Sequence, residues 1–209
     1  MNPGLVIATH NRHKLDEIRD ILAARIPNFD SSALRCAADF RVPEPVEDGA
    51  DFAQNALIKA RALSDALGVP ALADDSGLCV DILGGAPGIF SARWCGVHGD
   101  DAANLALLLA QLADVKPPLR GAHFMCTAVL AFPGRESVSC VGKLFGTLRS
   151  APAGTGGFGY DPIFQPEGCR HTLAELSAEE KNRISHRAQA FRRMARILTE
   201  KLPRLSGRS

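Results

Sequence analysis

Short apolar runs alternate with amphipathic stretches from the amino end onward. Leu5-Val6-Ile7-Ala8 has the character of a buried strand. Leu15, Ile18, Leu22 and Ile26 then recur at helical spacing, which leaves residues 9–14 as a strand-to-helix turn. The pattern breaks up over 28–48, where loops and one edge strand are expected. Asp51 followed by Gln54 marks a helix start, and Phe52, Ala56, Ala60, Leu63 and Leu67 form the apolar face of that helix. Asn55 and Lys59, four apart, share a neighbouring face. The small apolar run 68–73 predicts a short buried strand that ends in Asp74, Asp75 and Ser76.

Further on, Gly84-Gly85-Ala86-Pro87-Gly88 is a turn, and Asp100 or Asp101 caps an alanine- and leucine-rich helix reaching about residue 113. Residues 122–132 read as a long strand, Pro133-Gly134 as a turn, and 137–148 as one or two returning strands. Thr172 with Glu175 and Ser177 with Glu180 fit capping boxes. A last helix buries Phe191, Met194, Ala195, Leu198 and Leu202. Early strand-helix alternation favours parallel pairing and the later hairpin favours antiparallel pairing. The fold class expected is therefore α/β: a mixed central β-sheet flanked by helices, with residues 1–209 forming a single domain of two lobes and a cleft between them.

Composition narrows the classes without choosing a function. A chain of 209 residues can bury roughly 70 % of its unfolded surface. A net charge of +1 gives no global attraction to nucleic acid or membrane. The six cysteines form no C-x-x-C pair and are expected to be free and buried. No run approaches the ~20 apolar residues of a membrane span. The amino-terminal stretch lacks the basic and apolar segments of a signal peptide, so a cytoplasmic location is expected.

Four polar stretches carry candidate chemistry. Asp74, Asp75 and Ser76 at a strand end suit a hard cation such as Mg²⁺ and an activated water, although a solvated Asp-Ser-Gly turn has the same pattern. The turn at Thr9 to Lys14 exposes the free N–H groups of a helix start beside Arg12 and Lys14, which suits an anion. Simple capping by Asn11 is the alternative, and the glycines of a Walker A loop are missing. Four glycines between Gly154 and Gly159 isolate Phe158, Tyr160 and Asp161 on a loop, where the Phe158 ring is suited to stack on a base or to tuck into the core. From Lys181 to Arg208 there are nine basic residues and one acid, either a nucleic-acid surface or the solvated face of an amphipathic helix.

In order along residues 5–202, Thr9-x-Asn11-x-x-Lys14, Phe52-x-x-Asn55-Ala56-x-x-Lys59-Ala60, Ala73-Asp74-Asp75-Ser76-Gly77-Leu78, Pro87-Gly88-Ile89-Phe90-Ser91-Ala92-Arg93, the Gly154 to Pro162 loop and Ser185-His186-Arg187 closely resemble the inosine triphosphate pyrophosphatase family. The resemblance implies hydrolysis of ITP, dITP and XTP to the monophosphate and pyrophosphate, with Mg²⁺, by a homodimer that engages neither nucleic acid nor membrane. It implies a triphosphate-binding turn of Thr9, His10, Asn11, Arg12, His13 and Lys14, with Lys59 a further phosphate contact. Asp75 matches the general base and metal-linked carboxylate, Asp74 its partner in the metal site, and Ser76 a substrate contact. The resemblance also implies a second metal carboxylate from the loop before Gly49, expected to be Glu47, with Glu44 the alternative. Phe158, Gly159, Tyr160, Asp161, Lys181, His186 and Arg187 match nucleoside-binding positions. His10 stands where the family often has glycine; its bulk restricts the turn, either as a phosphate contact or as a solvent-facing side chain. A Maf-like pyrophosphatase for other modified nucleotides and a nucleic-acid-binding module are the competing expectations.

Overall fold

The computed structural model describes residues 4–9 and 12–206. Six strands form one sheet in the order β2-β1-β3-β4-β5-β6. They are β1 (Leu5–Ile7), β2 (Leu34–Cys36), β3 (Ala71–Val80), β4 (Gly121–Ala131), β5 (Val138–Leu148) and β6 (Phe164–Pro166). β1 runs parallel to both β2 and β3, with Val6 beside Arg35 and Ala71, whereas β5 and β6 are antiparallel, with Thr147 beside Gln165. The sheet is thus mixed, and β2 is the edge strand expected within 28–48. β6 escapes sequence reading because three residues are too few to display alternation, and its Pro166 is tolerated at a sheet edge.

The chain forms two compact units. The first comprises Met1–Asp75, Cys126–Gly142 and Arg187–Ser209, and the second Ser76–Met125 and Lys143–His186. In the first unit, α1 (Arg12–Ala23) and α5 (His186–Lys201) cover one sheet face, where Ile18, Leu22, Phe191 and Met194 pack on Leu5, Ile7, Leu72, Cys126 and Leu130. The apolar stripe read in the last helix is therefore core. The other face takes α2 (Phe52–Leu67): Leu63 packs with Val6 and Ala71, while Ala56 and Ala60 meet Ala73, Val129 and Ala131. α2 starts as its sequence dictates, with the Asp51 carboxylate accepting from the Gln54 N–H, and ends on left-handed Gly68.

Side chains alternate along a strand. Leu72 and Asp74 consequently face α1 and α5, while Ala71, Ala73 and Asp75 face α2. The strand does not end at the two acids, however. β3 continues to Val80 and is buried throughout except at half-buried Ser76, so the strand-end position expected for Asp74 and Asp75 is corrected to mid-strand. Each carboxylate is tolerated there because cations from distant segments reach it.

The second unit packs α3 (Asp101–Gln111), capped by Asp100, through Leu108 and Leu112 onto Leu78, Val80, Phe124, Leu148 and Phe164. Buried Arg120 donates to the carbonyls of Leu112, Val115, Leu148 and Arg149, so its charge is satisfied by backbone dipoles. Both capping boxes form. Thr172 and Glu175 open a short 3-10 turn, and Ser177 and Glu180 open α4 (Ala178–Ile184). All six cysteines are free, and Cys79, Cys126 and Cys140 are buried. Among the described residues no helix is long and apolar enough to cross a membrane.

Candidate active site

On the α2 face of the first unit, one ammonium group joins two carboxylates. Lys59 Nζ lies 3.2 Å from Glu47 Oε2 and 3.5 Å from Asp75 Oδ1. Asn55, one turn earlier on α2 and fully buried, donates from Nδ2 to Asp75 Oδ2 at 3.2 Å and accepts the Gly49 N–H at 2.9 Å. That amide ties the loop bearing Glu47 to the acid. Gly49 is required by space, since a Cβ there would lie 2.7 Å from Asn55 Oδ1. The shared face inferred for Asn55 and Lys59 is thus turned inward onto Asp75.

Burial raises the Asp75 carboxyl above the ordinary carboxylate range, and Glu47 pushes the same way. The Lys59 and Lys14 ammonium groups and the Asn55 hydrogen bond pull it back only in part. Burial works to lower Lys59, but Asp75, Asp74 and Glu47 outweigh it and the ammonium is held above its usual value. An acid that protonates easily, beside a lysine that does not deprotonate, suits proton uptake from water.

Glu47 and Asp75 offer only oxygen donors and already converge on one positive charge, a set that suits a hard divalent cation completed by phosphate oxygens. Glu44 lines the same recess of about 60 Å³ as Glu47 and Lys59. Among the described residues no three His, Cys, Asp or Glu side chains gather closely enough to hold a metal ion. The three-carboxylate set of Glu47, Asp74 and Asp75 is therefore corrected to a pair, because adjacent strand residues turn to opposite faces.

Asp74 belongs to a second charge cluster, on the α1 and α5 face. Its Oδ2 lies 3.8 Å from Lys14 Nζ, in the first turn of α1, and 3.4 Å from Arg187 Nε at the start of α5. Arg187 also pairs with Glu17, one turn beyond Lys14. Burial would lower the guanidinium, but Asp74 and Glu17 outweigh it and keep it charged. Arg187 is 2 % exposed, a clamp on Asp74 and Glu17 within this unit. Glu17 was not foreseen, although its spacing from Lys14 puts both on one helix face. Thr9 is buried and its carbonyl accepts from Cys36 Sγ. His10 and Asn11 lie outside the described residues, as do the side chains of Arg12 and His13.

The glycine-rich loop builds a third group, within the second unit. Asp161 Oδ2, 3 % exposed, accepts from the Phe158 N–H at 3.0 Å and from Lys181 Nζ at 2.8 Å. The same ammonium sits 4.7 Å from the centre of the half-buried Phe158 ring, a cation–π contact. Gly157 is left-handed, with φ 70°, and a Cβ there would run into the Asp161 carboxylate. His186 stacks on Phe124, ring centres 4.7 Å apart. Two loop residues are held by other parts of the same unit. The Tyr160 ring is buried, its hydroxyl donates to the Ser91 carbonyl at 2.9 Å, and burial holds the phenol protonated. The Gly159 N–H is taken by Asp101 at 2.9 Å, so it braces the loop against α3.

The structure is that of an α/β protein whose open mixed sheet carries a lysine–carboxylate group on its α2 face in the first unit, and whose second unit holds an aromatic ring backed by a cation on a glycine-rich loop. The model of the Ham1 family matches residues 5–197, and the chain belongs to that family. This agrees with the resemblance carried by the motifs. The chain is 58 % identical over 199 residues to a dITP/XTP pyrophosphatase of Streptomyces coelicolor, covering 95 % of this chain and 98 % of that protein. Its fold is similar to that of a HAM1 protein from Coxiella burnetii, at TM-score 0.84 and 38 % identity, covering 94 % of this chain and 98 % of that one. It is also similar to a nucleoside-triphosphatase and dITP/XTP pyrophosphatase from Mycobacterium abscessus, at TM-score 0.71 and 44 % identity, covering 95 % and 98 %.

Proposed function

We propose that the chain hydrolyses the non-standard purine nucleoside triphosphates ITP, dITP and XTP to the monophosphate and pyrophosphate, clearing them from the nucleotide pool. The observation that carries the reading is the convergence of Glu47, Lys59 and Asn55 on buried Asp75. The dITP/XTP pyrophosphatase activity for which the Streptomyces and Mycobacterium relatives are named supports it.

Cleavage of the α,β-phosphoanhydride needs phosphate charge neutralised and a water held in line with the leaving pyrophosphate. Lys14 and Lys59 supply positive charge for the phosphates. Asp75 accepts a proton from the water as its oxygen bonds to the α-phosphorus, and the pyrophosphate departs with the bridging oxygen. No covalent nucleophile is required. Glu47 and Asp75 would hold Mg²⁺, which supplies Lewis-acid stabilisation of charge developing on the phosphate oxygens. Ser76, half-buried on β3 and turned to the same face as Asp74, is a substrate contact in this reading.

Base recognition falls to Phe158 with Lys181 and Asp161. Lys181 already holds one part of the ring electrostatically, and a planar purine stacked on Phe158 adds to that contact. Truncation of Phe158 to alanine is expected to raise KM for XTP about tenfold, the scale of one lost stacking contact, with kcat changed far less. A fall in kcat at unchanged KM would place the ring in the chemical step instead. We further propose that the enzyme acts as a cytoplasmic homodimer.

The reading is tested by incubating the purified chain with XTP and Mg²⁺. Pyrophosphate and monophosphate in equal amounts, without orthophosphate, are expected. Orthophosphate as the first product overturns the assignment.

A further inference from the structure

Thr127 lies in β4 and is fully buried, at 0 % exposed, yet its Oγ1 has no hydrogen-bond partner among the described residues. A buried hydroxyl in that state is a net penalty that valine, of nearly the same shape, would avoid. Its place on the sheet follows from its neighbours. Cys126, Ala128 and Leu130 face α1 and α5, while Val129 and Ala131 face α2 together with Ala73, Ala56 and Ala60. Alternation puts Thr127 on the α2 face.

Its level along the sheet follows from how β3 and β4, neighbours in the sheet, lie against each other. They run antiparallel: Asp81, just past the end of β3, meets Gly121 and His123 at the start of β4, with its carboxylate 3.9 Å from His123 Nδ1, while Ala73 packs with Val129 and Ala131 towards the end of β4. Six residues back from Asp81 and six forward from Gly121 are Asp75 and Thr127, which therefore turn to the α2 face at the same level. There the acid meets Asn55 and Lys59. The orphan hydroxyl thus stands beside the one carboxylate to which the reaction has been assigned.

We propose that Thr127 is a positioning residue whose hydroxyl holds the attacking water beside Asp75. This rests on the proposed reading of Asp75 as the base. A buried water needs two or more polar partners. Thr127 and Asp75 provide them, and they restrict the water's orientation more than Asp75 alone would. In the reaction, the water's oxygen bonds to phosphorus, one of its protons passes to Asp75, and the hydroxyl of Thr127 exchanges no proton.

The test compares Thr127→Val, Thr127→Ser and Asp75→Asn with the parent enzyme on XTP and Mg²⁺. T127V is expected to lose about tenfold in kcat, the scale of one hydrogen bond in the transition state, with KM within about twofold and a melting temperature equal to or above the parent's. T127S is expected to retain kcat within about threefold, because it restores the hydroxyl. Unchanged kcat in T127V overturns the proposal, as does a loss confined to KM or an equal loss in T127S. A T127V chain that fails to fold overturns it too, because the hydroxyl would then be structural. If D75N is inactive while T127V is fully active, only the role of Thr127 falls. If D75N is fully active, the assignment of the base falls with it.

Discussion

Asp75→Asn is expected to lower turnover of XTP by about 10³-fold, within the range for loss of a general base, while leaving the fold intact. It is also expected to raise the melting temperature of the metal-free protein at neutral pH. The folded-state pKa of Asp75 is raised, since burial outweighs the pull of Lys59 and Lys14, so the folded chain binds that proton more tightly than the unfolded chain does. Ionisation at neutral pH consequently opposes folding. The penalty fades as pH falls through the folded-state value towards the ordinary one. Asparagine is neutral throughout, so its stabilising effect is full at neutral pH and vanishes in acid. Melting curves in chelator from pH 4 to 8 measure this directly. A lower melting temperature for D75N at pH 7 would mean that the ionised acid supports the fold. Activity and stability moving in opposite directions is the signature of a group held at a cost for chemistry rather than for folding.

The second large effect concerns the base. XTP and ITP are expected to exceed ATP in kcat/KM by at least roughly 10²-fold, because a site that donates to a 6-keto oxygen leaves its donors unpaired against the 6-amino group of adenine. Lys181 is a pure donor, fixed by Asp161 at 2.8 Å and placed over Phe158. Lys181→Met is therefore expected to shrink the ratio, costing XTP more than ATP. The ratio is the informative quantity. General damage to the loop from leaving Asp161 unpaired lowers both rates together. A ratio unchanged in K181M would move discrimination to another residue.

Much of this architecture was readable in the chain. Asp51 and Gln54 announced α2, and the four-residue spacing of Asn55 and Lys59 put them on one helix face, which the fold turns onto Asp75. The glycines around Phe158 signalled a loop whose backbone can approach a ligand closely, and Gly157 within it adopts a positive φ. What escaped depended on partners distant in sequence. β3 was cut short at Asp74 because two acids look fatal to a buried strand, and nothing local reveals that Lys14, Lys59 and Arg187 neutralise them. Tyr160 looked as available as Phe158, until Ser91 was found to accept its hydroxyl from 69 residues away. Thr127 looked like one more β-branched strand residue, and only burial without a partner distinguishes it.

The assignment of function turns on which bond is broken and by what. Hydrolysis of XTP in ¹⁸O-labelled water with Mg²⁺ answers both, read by mass spectrometry of the two products. Water attack at the α-phosphorus predicts one labelled oxygen in the monophosphate and none in the pyrophosphate. Label in the pyrophosphate, or labelled orthophosphate, would contradict the account.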